Sequence, residues 1–404
     1  MPEFSIRDKC RVNTNRDTDV FVGIKCEDGD ISISFPLGFR LAEGDRELRR
    51  DIMLLISTIG NTIGHSESVL KEELSATNQI GFPIQAYLAI IYDYMSRGYY
   101  IEREIEHNVS RRGKINWSKT IKSCKPVVQN DEAYYLDFVV RKNTINENNL
   151  ITLIHEFCVY ESFLKMGWLF TSFVPRNPRI KCNKKAFLSI LKEKMSRTFN
   201  DKNKTLFGNM ILVIENMQNE DAPENYKYGT YRFEYVWESL IDRVFGVENK
   251  KDYFPKTTWR IGNHEYDNAS LEPDTIMLFG KDVYVLDAKY YKYGATGNYW
   301  DLPESSSINK QITYGEYVTK NASKNQRVFN AFLMPYSSDI EGQGEMIAIG
   351  EAIGNWRKND ELYERIQGIL VDVKHLMQIT VREDFKEITK LANCIETSVL
   401  GGYE

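Results

Sequence analysis

Hydrophobic and polar positions alternate over the first 45 residues, which is the spacing of short β-strands. Asp/Gly turns separate these segments, as at residues 27–30 before the run 31–35. From Glu47 the apolar positions recur at three- and four-residue intervals instead, and this spacing predicts helices. One such stripe consists of Ile84, Tyr87, Leu88, Ile91 and Met95. Gly98 offers a helix stop, so a β-rich start is followed by a helical region.

Both patterns occur in the middle of the chain. Strand-like segments are predicted at residues 99–105 and 133–140. A helix is predicted to run to about Met166, with Asn148 or Asn149 as its N-cap, because Asn side chains readily accept hydrogen bonds from the first backbone amides of a helix.

A helix and a hairpin open the C-terminal part. The helical stripe is formed by Phe233, Val236, Trp237, Leu240 and Val244. Asp274 precedes an apolar strand at 275–279, Gly280 and Lys281 suit a type II′ turn, and a second strand is predicted at 283–289. With a two-residue turn the numbers of paired residues sum to 561, so Asp274 is predicted to lie opposite Asp287.

Further elements complete an α/β pattern. Helices are predicted at 309–318 and 383–395, and strands at 328–334, 345–352 and 366–373. This order predicts an α/β fold, in which a C-terminal sandwich around a mixed sheet is preceded by an α+β N-terminal region. Residues 215–229 are polar, acidic and contain Pro, and they indicate a linker. The predicted divisions of the chain are residues 1–95, 96–225 and 226–404.

Composition narrows the class of protein. The 404 residues are 42% hydrophobic and 27% charged, values that exclude collagen, coiled-coil rods and wholesale disorder. Six cysteines without a C-x-x-C pair disfavour a zinc ribbon or a disulfide scaffold and favour a reducing cytosol. The first residues lack the pattern of a signal peptide, and the longest apolar runs are too short to span a bilayer. We therefore expect a cytoplasmic protein without a membrane segment.

The net charge of −5 is unevenly distributed. Residues 176–204 carry ten Lys and Arg side chains against Glu193 and Asp201, and ten minus two gives a local charge of +8. Lys and Arg supply the sequence-independent part of nucleic-acid affinity, so this segment is a candidate DNA-contacting face. The candidate contacts are Lys181, Lys184, Lys185, Lys192 and Arg197. A solvated helix face explains the same charges equally well.

The opposed carboxylates point to a metal site. Residues that face each other in a hairpin have Cβ atoms about 4.5–5.5 Å apart, a distance at which Asp274 and Asp287 repel unless a cation lies between them. Lys289 shares a strand face with Asp287, and Glu238 or Glu234 can add a carboxylate from the preceding helix. Mg²⁺ or Mn²⁺ prefers oxygen ligands and assists phosphodiester hydrolysis.

These residues divide into two candidate roles. Asp274, Asp287 and Glu238 are candidate metal ligands, and Lys289 is a candidate for stabilising charge and activating water. A plain surface hairpin is the alternative interpretation of the same pattern.

The pattern P-D-x(12)-D-x-K formed by Asp274, Asp287 and Lys289 resembles the motif of the PD-(D/E)xK restriction-endonuclease superfamily. More specifically, the chain resembles the LlaJI restriction-endonuclease family, whose members are similar to the McrC subunit of McrBC-type systems. The resemblance is carried by residues 111–121, the helix start at 148–151, and residues 286–291 with Gln311 and Tyr314.

This resemblance implies cleavage of double-stranded DNA, with Gln311 as a further candidate catalytic residue. It also implies a separate McrB-like subunit that hydrolyses GTP, and a DNA methyltransferase in the same restriction system. The chain contains no G-x-x-x-x-G-K-[ST], so we expect it to bind no nucleotide itself. Related nucleases often show Gln-x-x-x-Tyr, whereas Gly315 stands at the Tyr position here and Tyr314 comes one residue earlier. The resemblance places residues 111–117 in the part that contacts the motor, although a basic hairpin turn at Gly113 also explains them.

Two other functions stay open. One is a non-catalytic assembly or regulatory subunit that stimulates a nucleotide-hydrolysing partner, although such a subunit has no use for two repelling carboxylates. The other is a stand-alone DNA-repair nuclease, which would cut DNA without a second protein. The five histidines show no ligand spacing, so we expect structural or surface roles for them.

Overall fold

The computed structural model describes residues 5–16, 18–65, 82–130, 132–146, 149–217, 225–268, 270–321, 326–338 and 344–401. The chain forms two compact units. The first unit combines residues 1–81 with 223–404, and the second contains residues 82–222. These boundaries differ from the predicted division, because the N-terminal strands and the first helix belong to the same unit as the C-terminal part.

The helices are α1 (Asp45–His65), α2 (Ile84–Arg97), α3 (Trp117–Ser123), α4 (Leu150–Met166), α5 (Lys184–Ser196), α6 (Asp201–Asn216), α7 (Phe233–Phe245), α8 (Tyr293–Thr296), α9 (Ser305–Asn321), α10 (Val373–Gln378) and α11 (Phe385–Leu400). The strands are β1 (Cys10–Val12), β2 (Val22–Glu27), β3 (Asp30–Phe35), β4 (Glu102–Val109), β5 (Lys114–Ile115), β6 (Val127–Gln129), β7 (Glu132–Tyr134), β8 (Val139–Asn146), β9 (Tyr226–Thr230), β10 (Thr258–Ile261), β11 (His264–Asp267), β12 (Thr275–Phe279), β13 (Asp282–Ala288), β14 (Val328–Tyr336), β15 (Met346–Ile353) and β16 (Arg365–Asp372). Within the described ranges, no helix combines the length and the apolar character needed to cross a membrane.

Helices α2, α4, α5 and α6 pack together in the second unit, beside the sheet β4-β8-β5 and the hairpin β6-β7. The predicted stripe of α2 is buried except for Met95, which is exposed at the end of the helix. Gly98 ends α2 with a φ of 75°, as predicted. Asn149 caps α4, since its side chain accepts a hydrogen bond from the amide of Ile151 at 2.9 Å. Asn148, the other predicted N-cap, lies outside the described residues.

The first unit begins with the sheet β1-β3-β2-β9. Strand β9 begins inside the predicted linker, residues 215–229, so the prediction of a linker is wrong for residues 226–229. Residues 218–224 lie outside the described part. Gly23 of β2 pairs with Gly229 of β9. A Cβ atom on Gly23 would lie 2.2 Å from the carbonyl oxygen of Tyr228, and one on Gly229 would lie 2.3 Å from that of Val22. Only glycine fits at either position of this close pair.

Side-chain bonds also join the N-terminal residues to the rest of the first unit. Asp51 of α1 is buried and forms an ion pair with Lys374 of α10 at 2.7 Å. The hydroxyl group of Tyr290 accepts a hydrogen bond from the amide of Leu37 at 2.7 Å. Local sequence patterns do not reveal these bonds, because their partners are hundreds of residues apart.

A five-stranded sheet of order β12-β13-β14-β16-β15 forms the centre of the C-terminal part. Strands β13, β14 and β16 run parallel, while β12 and β15 are antiparallel edge strands. On one face Val283 and Val285 pack against Tyr314 of α9, and on the other Tyr284 donates a hydrogen bond to Glu396 of α11. Helices therefore cover both faces, and the predicted α/β architecture around a mixed sheet is confirmed.

Candidate active site

The hairpin β12–β13 places Asp274 beside Asp287. Its pairs run from Thr275 with Leu286 to Phe279 with Asp282, which is the predicted register. Gly280 occupies the turn with a φ of 62°, a value that glycine adopts without strain. Asp274 lies one residue before β12, and its Oδ2 accepts a hydrogen bond from the amide of Ala288 at 2.9 Å.

A further contact fixes the backbone of Asp274. The ammonium group of Lys250 donates to the carbonyl oxygen of Asp274 at 2.7 Å and to Oδ1 of Asp242 at 2.9 Å. Asp242 lies on α7, the helix that also carries Glu238. The start of β12 is therefore tied both to the end of β13 and to α7.

Asp287 and Lys289 form an ion pair, with 2.6 Å between Nζ of Lys289 and Oδ2 of Asp287. Asp287 is buried in β13, and Lys289 follows this strand in a half-buried position. Burial lowers the pKa of Lys289, but the neighbouring carboxylates of Asp287 and Asp274 outweigh burial and raise it. The ammonium group therefore stays charged at neutral pH.

For Asp274, in contrast to Lys289, the surroundings disfavour the charged form. Burial, together with the charge of Asp287 and a hydrogen bond with its carboxyl group, raises the pKa of Asp274 well above its usual range. Glu238 reinforces this rise and Lys289 opposes it. The pair either shares a proton or requires more positive charge than Lys289 provides.

Glu238 provides the third carboxylate of the site. Burial raises its pKa to about 7, an effect that Lys289 opposes and that Asp287 and Glu234 reinforce. Glu234, one helical turn earlier, forms an ion pair with Arg232 at 2.6 Å. Glu238 therefore interacts with the charges of Asp287 and Asp274, whereas Glu234 is paired with Arg232.

The donor set fits a hard divalent cation. Asp274, Asp287 and Glu238 offer carboxylate oxygens, the ligands that Mg²⁺ and Mn²⁺ prefer. A cation among them would offset the burial and the repulsion that raise the pKa values of Asp274 and Glu238. Among the described residues, the ligand atoms of these three side chains do not all lie within 4.8 Å of one another, so metal binding by them stays a prediction.

Gln311 takes a different position from the carboxylates. Its side chain is buried, and its Nε2 donates to the carbonyl oxygen of Val285 at 2.7 Å and to Oδ1 of Asn330 at 3.4 Å. The amide of Asn330 donates in turn to the carbonyl oxygen of Gln311 at 3.0 Å. These bonds join α9 to β13 and β14, and a catalytic role for Gln311 stays a prediction.

The packing of α9 explains why Tyr is absent at position 315. A Cβ atom on Gly315 would lie 2.5 Å from Nδ2 of Asn330 and 2.7 Å from Cβ of Tyr363, so no larger side chain fits. Tyr314 is buried, and its hydroxyl group donates to the carbonyl oxygen of Glu272 at 3.1 Å. The tyrosine next to Gly315 therefore reaches the segment that leads into Asp274.

Sequence reasoning missed one charged residue on this helix. Lys310 lies one turn before Tyr314, its Nζ is 5.5 Å from the centre of the Tyr314 ring, and the carboxylates of Asp287 and Asp274 help to raise its pKa. The spacing of Lys310 and Tyr314, four residues apart on one helix face, was the available signal.

The predicted DNA contacts lie on or next to α5 in the second unit, and all five side chains are exposed. Three of them have partners. Lys184 donates to the carbonyl oxygens of Glu215 and Met217 at the end of α6, Lys192 pairs with Glu215 at 3.1 Å, and Arg197 pairs with Glu193 at 3.0 Å. These contacts reduce the free positive charge, and DNA binding by this face stays a prediction.

Another acidic cluster, which sequence reasoning missed, is already paired with a lysine side chain. Glu345, His375 and Glu387 lie close enough to share a metal ion. The ammonium group of Lys390, however, pairs with both Glu345 and Glu387, and Nε2 of His375 lies 3.0 Å from Glu387. These bonds explain the cluster as a set of structural ion pairs.

Comparisons with known proteins agree with the geometry. The model of the LlaJI restriction endonuclease family matches residues 21–345, a range that includes the hairpin β12–β13 and helices α7 and α9. The Type II restriction enzyme BsuMI component YdjA of Bacillus subtilis (strain 168) is 26% identical over 262 residues. This alignment covers 60% of the present chain, and the chain spans only 55% of that relative's length.

Proposed function

The chain belongs to the LlaJI restriction endonuclease family, and from this premise we propose that it is the nuclease component of a restriction system. Its reaction is the Mg²⁺-dependent hydrolysis of phosphodiester bonds in double-stranded DNA. The observation that carries the proposal is the meeting of Asp274, Asp287 and Lys289 at one end of the hairpin β12–β13. Their order and strand context support membership of the PD-(D/E)xK superfamily.

Each side chain has a role that follows from its contacts. Asp287 and Asp274 would hold the cation, and Glu238 would complete the set of carboxylates from α7. When bound, Mg²⁺ supplies a more acidic water molecule and neutralises charge on the leaving oxygen. Lys289, fixed by Asp287 at 2.6 Å, would orient the attacking water and stabilise the negative charge that develops on the phosphate.

The partners follow from the family and from the missing nucleotide motif. The chain has no P-loop sequence, so a separate McrB-like GTPase would supply any motor activity. A DNA methyltransferase would protect the host sites. The word "component" in the name of the relative from B. subtilis supports a system with several proteins. The sparse cysteines favour a cytoplasmic location.

The test is the substitution Asp287→Asn, which keeps the shape of the side chain and removes its charge. We expect cleavage of plasmid DNA by the full chain, with Mg²⁺ and the other components of the system present, to be abolished. We also expect Mg²⁺ to raise the unfolding temperature of the wild type but not of D287N, because a ligand that binds only the folded state stabilises it. Asp267→Asn, on the exposed hairpin β10–β11, is the matched control and should cleave normally.

Full activity of D287N would refute the proposal. Normal folding of D287N together with lost cleavage would also separate a nuclease from a non-catalytic assembly subunit, since an assembly role does not depend on this carboxylate. Cleavage by the purified chain alone would favour the stand-alone nuclease.

A further inference from the structure

Helix α9 presents a lysine to the candidate active site, held in place by a tyrosine. The hydroxyl group of Tyr314 donates to the carbonyl oxygen of Glu272 at 3.1 Å. The ammonium group of Lys310 lies over the ring of the same tyrosine, with its Nζ 5.5 Å from the ring centre, where it is attracted by the negative face of the ring. Because Glu272 lies two residues before Asp274, these contacts connect Lys310 to the start of β12.

The charge of Lys310 is directed at the site but is not cancelled there. The carboxylates of Asp287 and Asp274 attract its ammonium group, but Asp287 is already paired with Lys289 at 2.6 Å. Among the described residues, no carboxylate oxygen lies within 4.0 Å of Lys310, and its side chain is exposed. Lys320, near the other end of α9, is instead paired with Glu316 at 2.8 Å.

An exposed lysine without a carboxylate partner, which lies over a tyrosine ring and is attracted by Asp274 and Asp287, suits an anionic ligand. A phosphate drawn to a metal at Asp274 and Asp287 would also be attracted by this ammonium group, because the ammonium group interacts with both carboxylates. Lys binds phosphate as a compact point charge with three donor hydrogens, and such contacts position a DNA strand without reading its sequence.

We propose that Lys310 binds a phosphate of the DNA strand next to the scissile bond, and that Tyr314 positions its ammonium group for this contact. The proposal rests on the proposed nuclease function and adds a substrate-binding residue to it. Lys289 acts at the reacting phosphate, whereas Lys310 holds its neighbour. The contact makes no use of base edges, so its effect is the same for every DNA sequence.

The test compares Lys310→Ala with Lys320→Ala, the same change on the same helix. Binding of a fluorescent DNA duplex to the full chain is measured with Ca²⁺ in place of Mg²⁺ over a series of KCl concentrations. We expect K310A to weaken binding by about tenfold, the size of a hydrogen bond to a charged group, and to lower the slope of log K against log salt by about one. K320A should match the wild type, and Lys310→Arg should recover most of the affinity.

Cleavage kinetics give a second readout, measured with Mg²⁺ and the other components of the system present. K310A should raise KM more than it lowers kcat, because the contact holds DNA in the ground state as well as in the transition state. Tyr314→Phe should show a smaller effect of the same kind, since it keeps the ring under the ammonium group and removes only the hydroxyl group that binds the carbonyl oxygen of Glu272.

The outcomes distinguish the two proposals. If the wild type cuts DNA and K310A binds and cuts DNA like the wild type, the role of Lys310 is refuted and the nuclease function stands. If the wild type neither binds nor cuts duplex DNA, both proposals are refuted together.

Discussion

At the scale of single residues, the candidate site brings together groups that destabilise one another. Lys289 pairs with Asp287 alone, and burial, together with repulsion from neighbouring carboxylates, raises the pKa values of Asp274 and Glu238. A buried group whose pKa is raised in this way weakens the folded state at neutral pH, because the charged form is disfavoured. Strongly shifted pKa values of this kind, which lower stability, are typical of functional sites.

Glu238 and Glu234 allow a matched test at this scale, because they lie one turn apart on α7. We expect Glu238→Gln to lower the rate of DNA cleavage at least about tenfold and to raise the Mg²⁺ concentration needed for half-maximal activity, since losing a group that supports a metal costs about 10–100-fold. Glu234→Gln should leave both values near those of the wild type, because Glu234 is paired with Arg232. Single-turnover cleavage over a Mg²⁺ series measures both. A larger loss in E234Q than in E238Q would contradict the assignment.

At the scale of elements, turn chemistry made the hairpin β12–β13 predictable. Once Gly280 and Lys281 are assigned to a two-residue turn, the numbering of both strands fixes which residues pair, and this register placed Asp274 opposite Asp287. Strand β9 was not predictable in this way, because residues 226–230 follow a polar, acidic stretch and pair with β2, about 200 residues away. Lys310 was missed because its spacing from Tyr314 shows only that the two share a helix face, and not that this face is turned towards Asp274 and Asp287.

The glycine in α9 gives a test of packing against helix propensity. Ala forms helix better than Gly by about 1 kcal/mol, so Gly208→Ala in α6, where a Cβ would meet no other atom within 4 Å, should raise stability by up to that amount. Gly315→Ala should lower stability by about 1–3 kcal/mol despite the same gain, because overpacking a filled site costs that much and Asn330 would have to move. Thermal unfolding of the two variants gives the comparison. If both alanine substitutions raised stability, the side chains around Gly315 would be able to move aside at little cost in free energy, and the prediction would be wrong.

At the scale of the whole chain, the charge pattern and the division into units change the meaning of the composition. The net charge of −5 combines a basic segment in the second unit with carboxylates gathered at the candidate site in the first. Local patterns in the sequence predicted the α/β class and the hairpin register that sets Asp274 beside Asp287. They did not predict that residues 5–65 complete the first unit, since that depends on contacts such as Asp51 with Lys374.

The predicted C-terminal domain, residues 226–404, therefore should not fold by itself. Without the N-terminal residues, β9 loses its partner β2, Lys374 loses Asp51 and the Tyr290 hydroxyl group loses the amide of Leu37. Each loss leaves an unpaired polar group, and an exposed β9 edge favours aggregation. We expect the fragment 226–404 to be insoluble or to unfold without cooperativity, and co-expression with residues 1–81 to recover a soluble complex.

The second unit supplies the control, because residues 82–222 are compact by themselves and should unfold cooperatively when expressed alone. Circular dichroism during heating distinguishes the outcomes. If residues 226–404 alone unfolded cooperatively at the temperature of the whole chain, the N-terminal strands would be dispensable for the fold. We expect the N-terminal strands to be required because the backbones of β2 and β9 approach each other at Gly23 and Gly229 too closely for any side chain. This close pairing cannot form when either strand is missing.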